Sequence, residues 1–310
     1  MVVHAITIHL PSTGAYDWAA ALRFYAARAV DGVEEVRRDL YRRTVRIGRA
    51  SGLLEVGPAP SNAGLQARLQ LSMAVDQATI VARLRRMFDL DADLAVINAH
   101  LATDPLMAAL VAARPALRVF GGWDPFEVAM RTINGQQVSV ERARHLNGVL
   151  VARCGAALPG NQTDQLGSLF PGADEVIHAD LAGMGMPGAR VAALKTMAAA
   201  AVADDGLFDT TGSLDETVAR LRAIKGIGAW TAHYIAMRAC RQPDAFPASD
   251  VGLLRGAADG DGSRPTPAAL LSRAEAWRPW RAYAAHHLWN VDSAASSGVR
   301  KIMDAATVGA

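Results

Sequence analysis

The chain has 310 residues, 51% of them hydrophobic and 20% charged, which supplies a large core and more than one domain and excludes a disordered polymer. Its net charge of +2 and pI near 8.7 are too mild to announce a nucleic-acid partner and suit a metabolic enzyme equally well. The opening "MVVHAITIHL" has no basic segment followed by an apolar one, and no stretch reaches the ~18 uninterrupted apolar residues of a membrane span, so a soluble, cytoplasmic protein is expected.

Val2–Leu10 is rich in β-branched residues and ends at "PSTG", a strand and then a turn. A helix should follow: Asp17 is a fair N-cap, and Trp18, Leu22, Tyr25 and Ala29 recur at helical spacing. "VEEVRRDLYRRTVRIG" (33–48), "SGLLEVG" (51–57) and "LQARLQLSM" (65–73) read as three strands, and "DQATIVARLRRMFDL" (76–90) as a second helix. The first 89 residues therefore form a small α+β unit. From Asp89 on, Ala/Leu/Val/Met runs of helical period alternate with the breaks "FGGWDP", "ALPGNQ", "GMGMPG" and "DGDGSRPTP", which predicts an all-α region of about ten helices. The two cysteines, Cys154 and Cys240, have no CxxC spacing and no histidine close by, and read as buried thiols.

In "LRAIKGIGAWTAHYIAM", starting at Leu221, Gly226 and Gly228 close one apolar-periodic run and open the next. An interior glycine costs a helix ~1 kcal/mol relative to alanine, so two of them argue for backbone geometry. A bend there leaves free N–H groups at the start of the second helix, a natural seat for phosphate. Taken alone, the pair also fits an ordinary αα-hairpin.

The fuller pattern, "LRAIKGIGAWTAHYIAMRA" followed by "DAFPASDVGLLRG", resembles the helix-hairpin-helix and downstream aspartate of the DNA glycosylase superfamily, and within it the bacterial DNA-3-methyladenine glycosylase II family. "AYDWAAALRFYAARAV", "RRMFDL", "INGQQVSVERA", "GMGMPGARVAAL" and "WRPWRAYAAHHLW", in this order, extend the resemblance over nearly the whole chain. It implies an α+β fold: an N-terminal antiparallel-sheet domain at 1–89, then a helix-hairpin-helix core of two helical subdomains, 90–115 with 233–310 and 116–232. It also implies a catalytic aspartate at Asp250. A plain N-cap is the other reading of this residue, and the two are compatible, since a helix N-terminus favours a carboxylate's charge.

Breaking an N-glycosidic bond builds positive charge on the sugar, which a fixed carboxylate stabilises. Ordinary glycosidases need a second carboxyl to protonate the leaving group. An alkylated purine already carries positive charge and departs neutral, so one aspartate can suffice. Trp230 stands where the resemblance places a lysine in bifunctional relatives, and tryptophan has no amine for a Schiff base. Base removal without strand cleavage is therefore expected. The resemblance further points to Trp289, Tyr234, Trp230, Phe24 and Trp18 as aromatic pocket walls, with Arg28 beside them, although each ring could instead be core. Asn290 stands where the family's prototype has tyrosine, which removes one ring. Gln137 is the candidate for the wedge that fills the gap left by a flipped nucleotide, its alternative being a polar residue opening the next helix. Gly226, Gly228 and Lys225 would meet a phosphate, and a monovalent cation could share the hairpin's backbone carbonyls, with no metal held by side chains.

These implications describe a monofunctional glycosylase acting on alkylated bases such as 3-methyladenine and 7-methylguanine in double-stranded DNA, a monomer without a cofactor, away from membranes and associated with the nucleoid through DNA. The competing readings are a damage-binding protein without catalysis and a glycosylase for another lesion, hypoxanthine or oxidised guanine.

Overall fold

A computed structural model describes residues 4–60, 64–160 and 165–296, the last five as backbone only. Val2 and Val3 of the expected first strand, Asn161 and Gln162 of one helix break, and 297–310 at the end of the expected subdomain 90–115 with 233–310 lie outside the described residues.

Five strands, β1 (His4–Leu10), β2 (Glu34–Arg37), β3 (Leu40–Ile47), β4 (Ala50–Pro58) and β5 (Leu65–Leu71), form one antiparallel sheet in the order β1-β5-β4-β3-β2. Strict alternation explains its one buried face: Leu65, Ala67, Leu69 and Leu71 of β5 point inward while Arg68 and Gln70 point to water. Helix α1 (Trp18–Ala26) covers that face together with α2 (Gln77–Phe88), through Ala21, Tyr25, Ile80, Leu84 and Phe88. Asp17 caps α1 by accepting from the Ala20 N–H at 2.8 Å, as its position before the apolar run predicts.

One expectation is corrected. The segment 33–48 is two strands, β2 and β3, joined by the two-residue turn Arg38–Asp39 with Arg38 at φ +55. Arginine rarely takes that left-handed conformation, so the turn lacks the glycine or asparagine that normally marks a hairpin.

Eleven α-helices follow among the described residues: α3 (Leu94–Leu101), α4 (Pro105–Ala113), α5 (Pro125–Asn134), α6 (Val140–Cys154), α7 (Ala173–His178), α8 (Gly188–Ala203), α9 (Leu214–Arg222), α10 (Ala229–Arg238), α11 (Val251–Gly256), α12 (Pro267–Ala274) and α13 (Arg281–Ser296). Side chains of Asp93, Asp104, Asp124, Ser139, Ser213 and Thr266 cap six of them. No helix among the described residues is long and apolar enough to cross a membrane.

Sheet and helices are joined by buried charge. Arg43 of β3 pairs with Glu127 of α5 at 2.7 Å, and Arg131 of α5 pairs with Glu34 of β2 at 2.5 Å. Burial raises the Glu34 carboxyl, but Arg131 and Arg43 outweigh it and hold the group below the usual carboxylate range. Arg131 also donates to the Arg28 carbonyl at 3.0 Å, so the network fixes the chain just after α1, where Arg28 faces the helical core.

Candidate active site

The hairpin forms between α9 and α10, and its two glycines have different physical causes. Gly226 has φ +93, and a Cβ built there would stand 2.5 Å from the Ala193 Cβ of α8, so both its conformation and its packing require glycine. Gly228 is the N-cap of α10 with φ −82, an ordinary conformation, and a Cβ there would meet nothing within 4 Å. Among the described residues no contact requires glycine at 228, and the space beside it is open. No side chain caps the first turn of α10, in contrast to the aspartate- and serine-capped helices, which leaves N–H groups for an anion. Gln136 ties the loop before α6 to this hairpin, donating to the Gly226 carbonyl at 3.3 Å and the Thr231 hydroxyl at 3.0 Å. Lys225 is exposed, and its carbonyl accepts from the Thr196 hydroxyl at 2.8 Å.

Asp250 is the N-cap of α11, and its Oδ1 accepts from the Leu253 N–H at 3.0 Å. Two indoles complete its surroundings: Trp289 of α13 donates to Oδ1 at 2.8 Å and Trp230 of α10 to Oδ2 at 2.7 Å. A carboxylate has about four acceptor positions. Three are filled from fixed elements, so the group is held in one orientation at the wall of a cleft of about 1880 Å³. That cleft also takes in Gly226, Gly228, Gln137, Arg28 and Phe24.

The aromatic wall is continuous. Trp230 stacks on Tyr234 at 5.3 Å and 22°, and Tyr234 meets Trp289 at 5.9 Å and 59°. These offset and tilted arrangements leave ring surface toward the cleft rather than closing it. Phe24 lies opposite on α1, with the Arg28 guanidinium 4.1 Å from its ring centre. Trp18 is not part of this wall, which corrects its expected role. It packs 5.8 Å from Phe88 and 6.5 Å from Tyr16, and its Nε1 donates to the Asp39 carbonyl at 2.8 Å, on the core of the sheet. It lies six residues before Phe24, about 120° around α1 from it, so its ring leaves the helix from a different face.

Gln137 sits exposed on the rim at φ +54, a left-handed conformation uncommon for a residue with a Cβ, and such strain collects at functional loops. Asn290 does more than remove a ring: its Oδ1 accepts from Arg114 of the segment after α4 at 2.8 Å, bringing a further cation to the rim.

Sequence reasoning missed Arg238. It is 6% exposed at the end of α10, with its guanidinium 4.7 Å from the Phe24 ring, 4.8 Å from Tyr234 and 5.6 Å from Trp289. Its signal was its place four residues after Tyr234 and eight after Trp230, on the same helix face. Burial raises the Tyr234 phenol, but Arg238 and Arg28 outweigh it and hold the group below its ordinary 10.0.

Comparison with known proteins matches residues 7–124 to the AlkA N-terminal domain. The chain is 36% identical over 287 residues to a Mycobacterium tuberculosis protein described as "Probable bifunctional transcriptional activator/DNA repair enzyme AlkA", covering 92% of this chain and 56% of that one. It thus spans little more than half the length of that relative. It is 34% identical over 279 residues to the Escherichia coli "DNA-3-methyladenine glycosylase 2", covering 88% of this chain and 93% of that one. The solved structure of the 3-methyladenine DNA-glycosylase from Archaeoglobus fulgidus shares the fold at TM-score 0.78 and 18% identity, over 93% of this chain and 98% of that one. By these similarities the chain belongs to the AlkA family of DNA-3-methyladenine glycosylases.

Proposed function

We propose that this protein hydrolyses the N-glycosidic bond of alkylated purines in double-stranded DNA and leaves the abasic strand intact. The observation that carries this is the Asp250 carboxylate, held by two indole N–H groups and one backbone N–H at an aromatic cleft beside a phosphate-ready hairpin. DNA phosphate sits on the free amides at Gly228 and the start of α10, with Lys225 beside them and a monovalent cation on the hairpin carbonyls. Gln137 enters the duplex from the rim. The damaged nucleotide turns out of the stack and lies along Tyr234, Trp230, Trp289 and Phe24. As the C1′–N bond lengthens, positive charge grows on the sugar and the fixed carboxylate stabilises it without having to reorient. A base that is already cationic leaves neutral, so no second acid is needed.

Trp230 gives the subclass its support: the indole that stands in for an amine is itself committed to Asp250. We also read the chain as 1–89, 90–115 with 233–310, and 116–232; the packing of α13 on α4 and α11, and of α5 on α6 and α8, supports this reading, while the 232/233 boundary falls within α10, which packs on both α9 and α5. We take the protein to act as a cytoplasmic monomer on DNA, without a cofactor.

The test is release of 3-methyladenine and 7-methylguanine from methylated duplex DNA. The account predicts abasic sites that become breaks only on alkali treatment; breaks formed at the same rate without alkali would contradict it.

A further inference from the structure

Two consecutive residues of α13 hold two different groups at the cleft. Trp289 donates to Asp250 Oδ1 at 2.8 Å, while Asn290 Oδ1 accepts from the Arg114 Nη1 at 2.8 Å. The Asn290 amide is itself fixed, because its Nδ2 donates to the His286 carbonyl one turn earlier at 2.9 Å. All four residues, Asp250, Trp289, Asn290 and Arg114, line the cleft.

Arg114 is the C-cap of α4. The helix dipole favours a cation there, which accounts for the charge but not for a guanidinium tied to another helix. Holding an exposed arginine in one place costs side-chain entropy. The tie is made by an amide, and among the described residues no carboxylate pairs with Arg114. Arg144, on the same cleft, instead meets Asp31 at 2.7 Å. An amide oxygen orients a guanidinium without neutralising it, and the rest of the planar fork stays open to a second partner.

The place of the pair selects that partner. In the glycosylase reading, a base stacked on Trp289, Tyr234 and Phe24 brings its sugar to Asp250, while the charged backbone on either side of that sugar stays in water at the mouth of the cleft. Arg114 is exposed at that mouth. Its fork matches the oxygens of a phosphate in a bidentate way that a point charge does not.

We propose that Arg114, set in place by Asn290, grips a backbone phosphate of the damaged strand next to the flipped nucleotide. Arg114 is the phosphate ligand and Asn290 a positioning residue, so the ring missing at 290 is replaced by an oriented positive charge. The inference rests on the glycosylase reading above and adds a phosphate contact separate from the hairpin between α9 and α10.

The experiment measures binding of wild type, Arg114→Met, Asn290→Ala and Asn290→Asp to a duplex carrying an abasic-site analogue, by fluorescence anisotropy over a series of salt concentrations. The phosphates flanking the analogue are replaced one at a time by neutral methylphosphonate. In wild type one flanking position should be sensitive, binding about tenfold more weakly when neutral. Arg114→Met should lose about tenfold in affinity, show no further loss at that position, and make the slope of log affinity against log salt shallower by about 0.9. Asn290→Ala should lose less, at the same position, because the charge stays and its orientation goes. Asn290→Asp strengthens the tie but neutralises the charge, so the phosphate grip should weaken by about tenfold, whereas a purely structural pair would bind DNA as before. If wild type releases 7-methylguanine, then a methylphosphonate profile that is the same in wild type and Arg114→Met, or an Asn290→Asp protein that binds as wild type does, overturns this proposal alone. A wild type that neither binds the duplex nor releases the base overturns both this and the glycosylase reading.

Discussion

Replacing Gly226 and Gly228 one at a time by alanine should separate folding from DNA contact. At 226 the new methyl would lie 2.5 Å from the Ala193 Cβ and 3.3 Å from its Cα, where carbon pairs prefer ~3.5–4.0 Å. Displacing α8 to relieve this costs about 1–3 kcal/mol, and holding alanine at positive φ adds about 1–2 kcal/mol. Together these lower Tm by roughly 3–8 °C for a chain of this size. At 228 the methyl enters empty space from an extended backbone, and the loss is confined to alanine's weaker N-cap preference, about 1 kcal/mol or less. A phosphate on the free amides would have no room for that methyl. Losing one charge-assisted hydrogen bond there, worth ~1.5–3 kcal/mol, weakens DNA binding by about 10- to 150-fold. Thermal unfolding followed by circular dichroism reads the first effect. Fluorescence anisotropy on a duplex with an abasic-site analogue, at fixed salt, reads the second. A Gly228→Ala protein that binds as wild type does, or a Gly226→Ala protein with an unaltered Tm, would refute the division of roles.

Three further outcomes are expected. Trp230→Phe keeps the ring on Tyr234 but removes the 2.7 Å donor to Asp250, and should slow single-turnover base release by about 10- to 100-fold with little change in DNA affinity; an unchanged rate would show that the indole does not position the carboxylate. In a spectrophotometric pH titration, one tyrosine should ionise below pH 10 and vanish in Tyr234→Phe, because burial drives Tyr16, Tyr25, Tyr41 and Tyr283 upward while two arginines pull Tyr234 down. His287 is held neutral in the fold, its pKa pushed down to about 4 first by burial and then by Arg114. The unfolded chain takes up that proton near pH ~6.5, so this contribution is complete above that pH and is lost as pH falls toward 4, about 3 kcal/mol in all. Urea unfolding of His287→Gln should show a shallower loss between pH 7 and pH 4.5 than wild type does, and parallel curves would contradict the assignment.

Local signals were the legible ones. Asp17 and Asp250 precede apolar runs and do cap helices, and the paired glycines do mark the hairpin. The Arg38–Asp39 turn was hidden because a left-handed arginine carries no turn signature. Trp18 was misplaced because helical spacing gives a face and not what that face meets; its indole is drawn to the Asp39 carbonyl over the sheet. The cleft's most consequential contacts join residues far apart in sequence, Trp289 to Asp250 and Arg238 to Phe24, and no periodicity encodes such pairings. The resemblance to a family located Asp250. Only the fold reveals that two tryptophans hold its carboxylate.

The central claim concerns that carboxylate, and the most direct test is single-turnover release of 7-methylguanine from duplex DNA by Asp250→Asn, a near-isosteric change that removes the charge and turns one acceptor oxygen into an NH2 donor. The account predicts loss of at least about 100-fold in rate, the scale of removing one preorganised electrostatic partner, with DNA binding retained. Release at the wild-type rate by a folded, DNA-binding Asp250→Asn protein would contradict it.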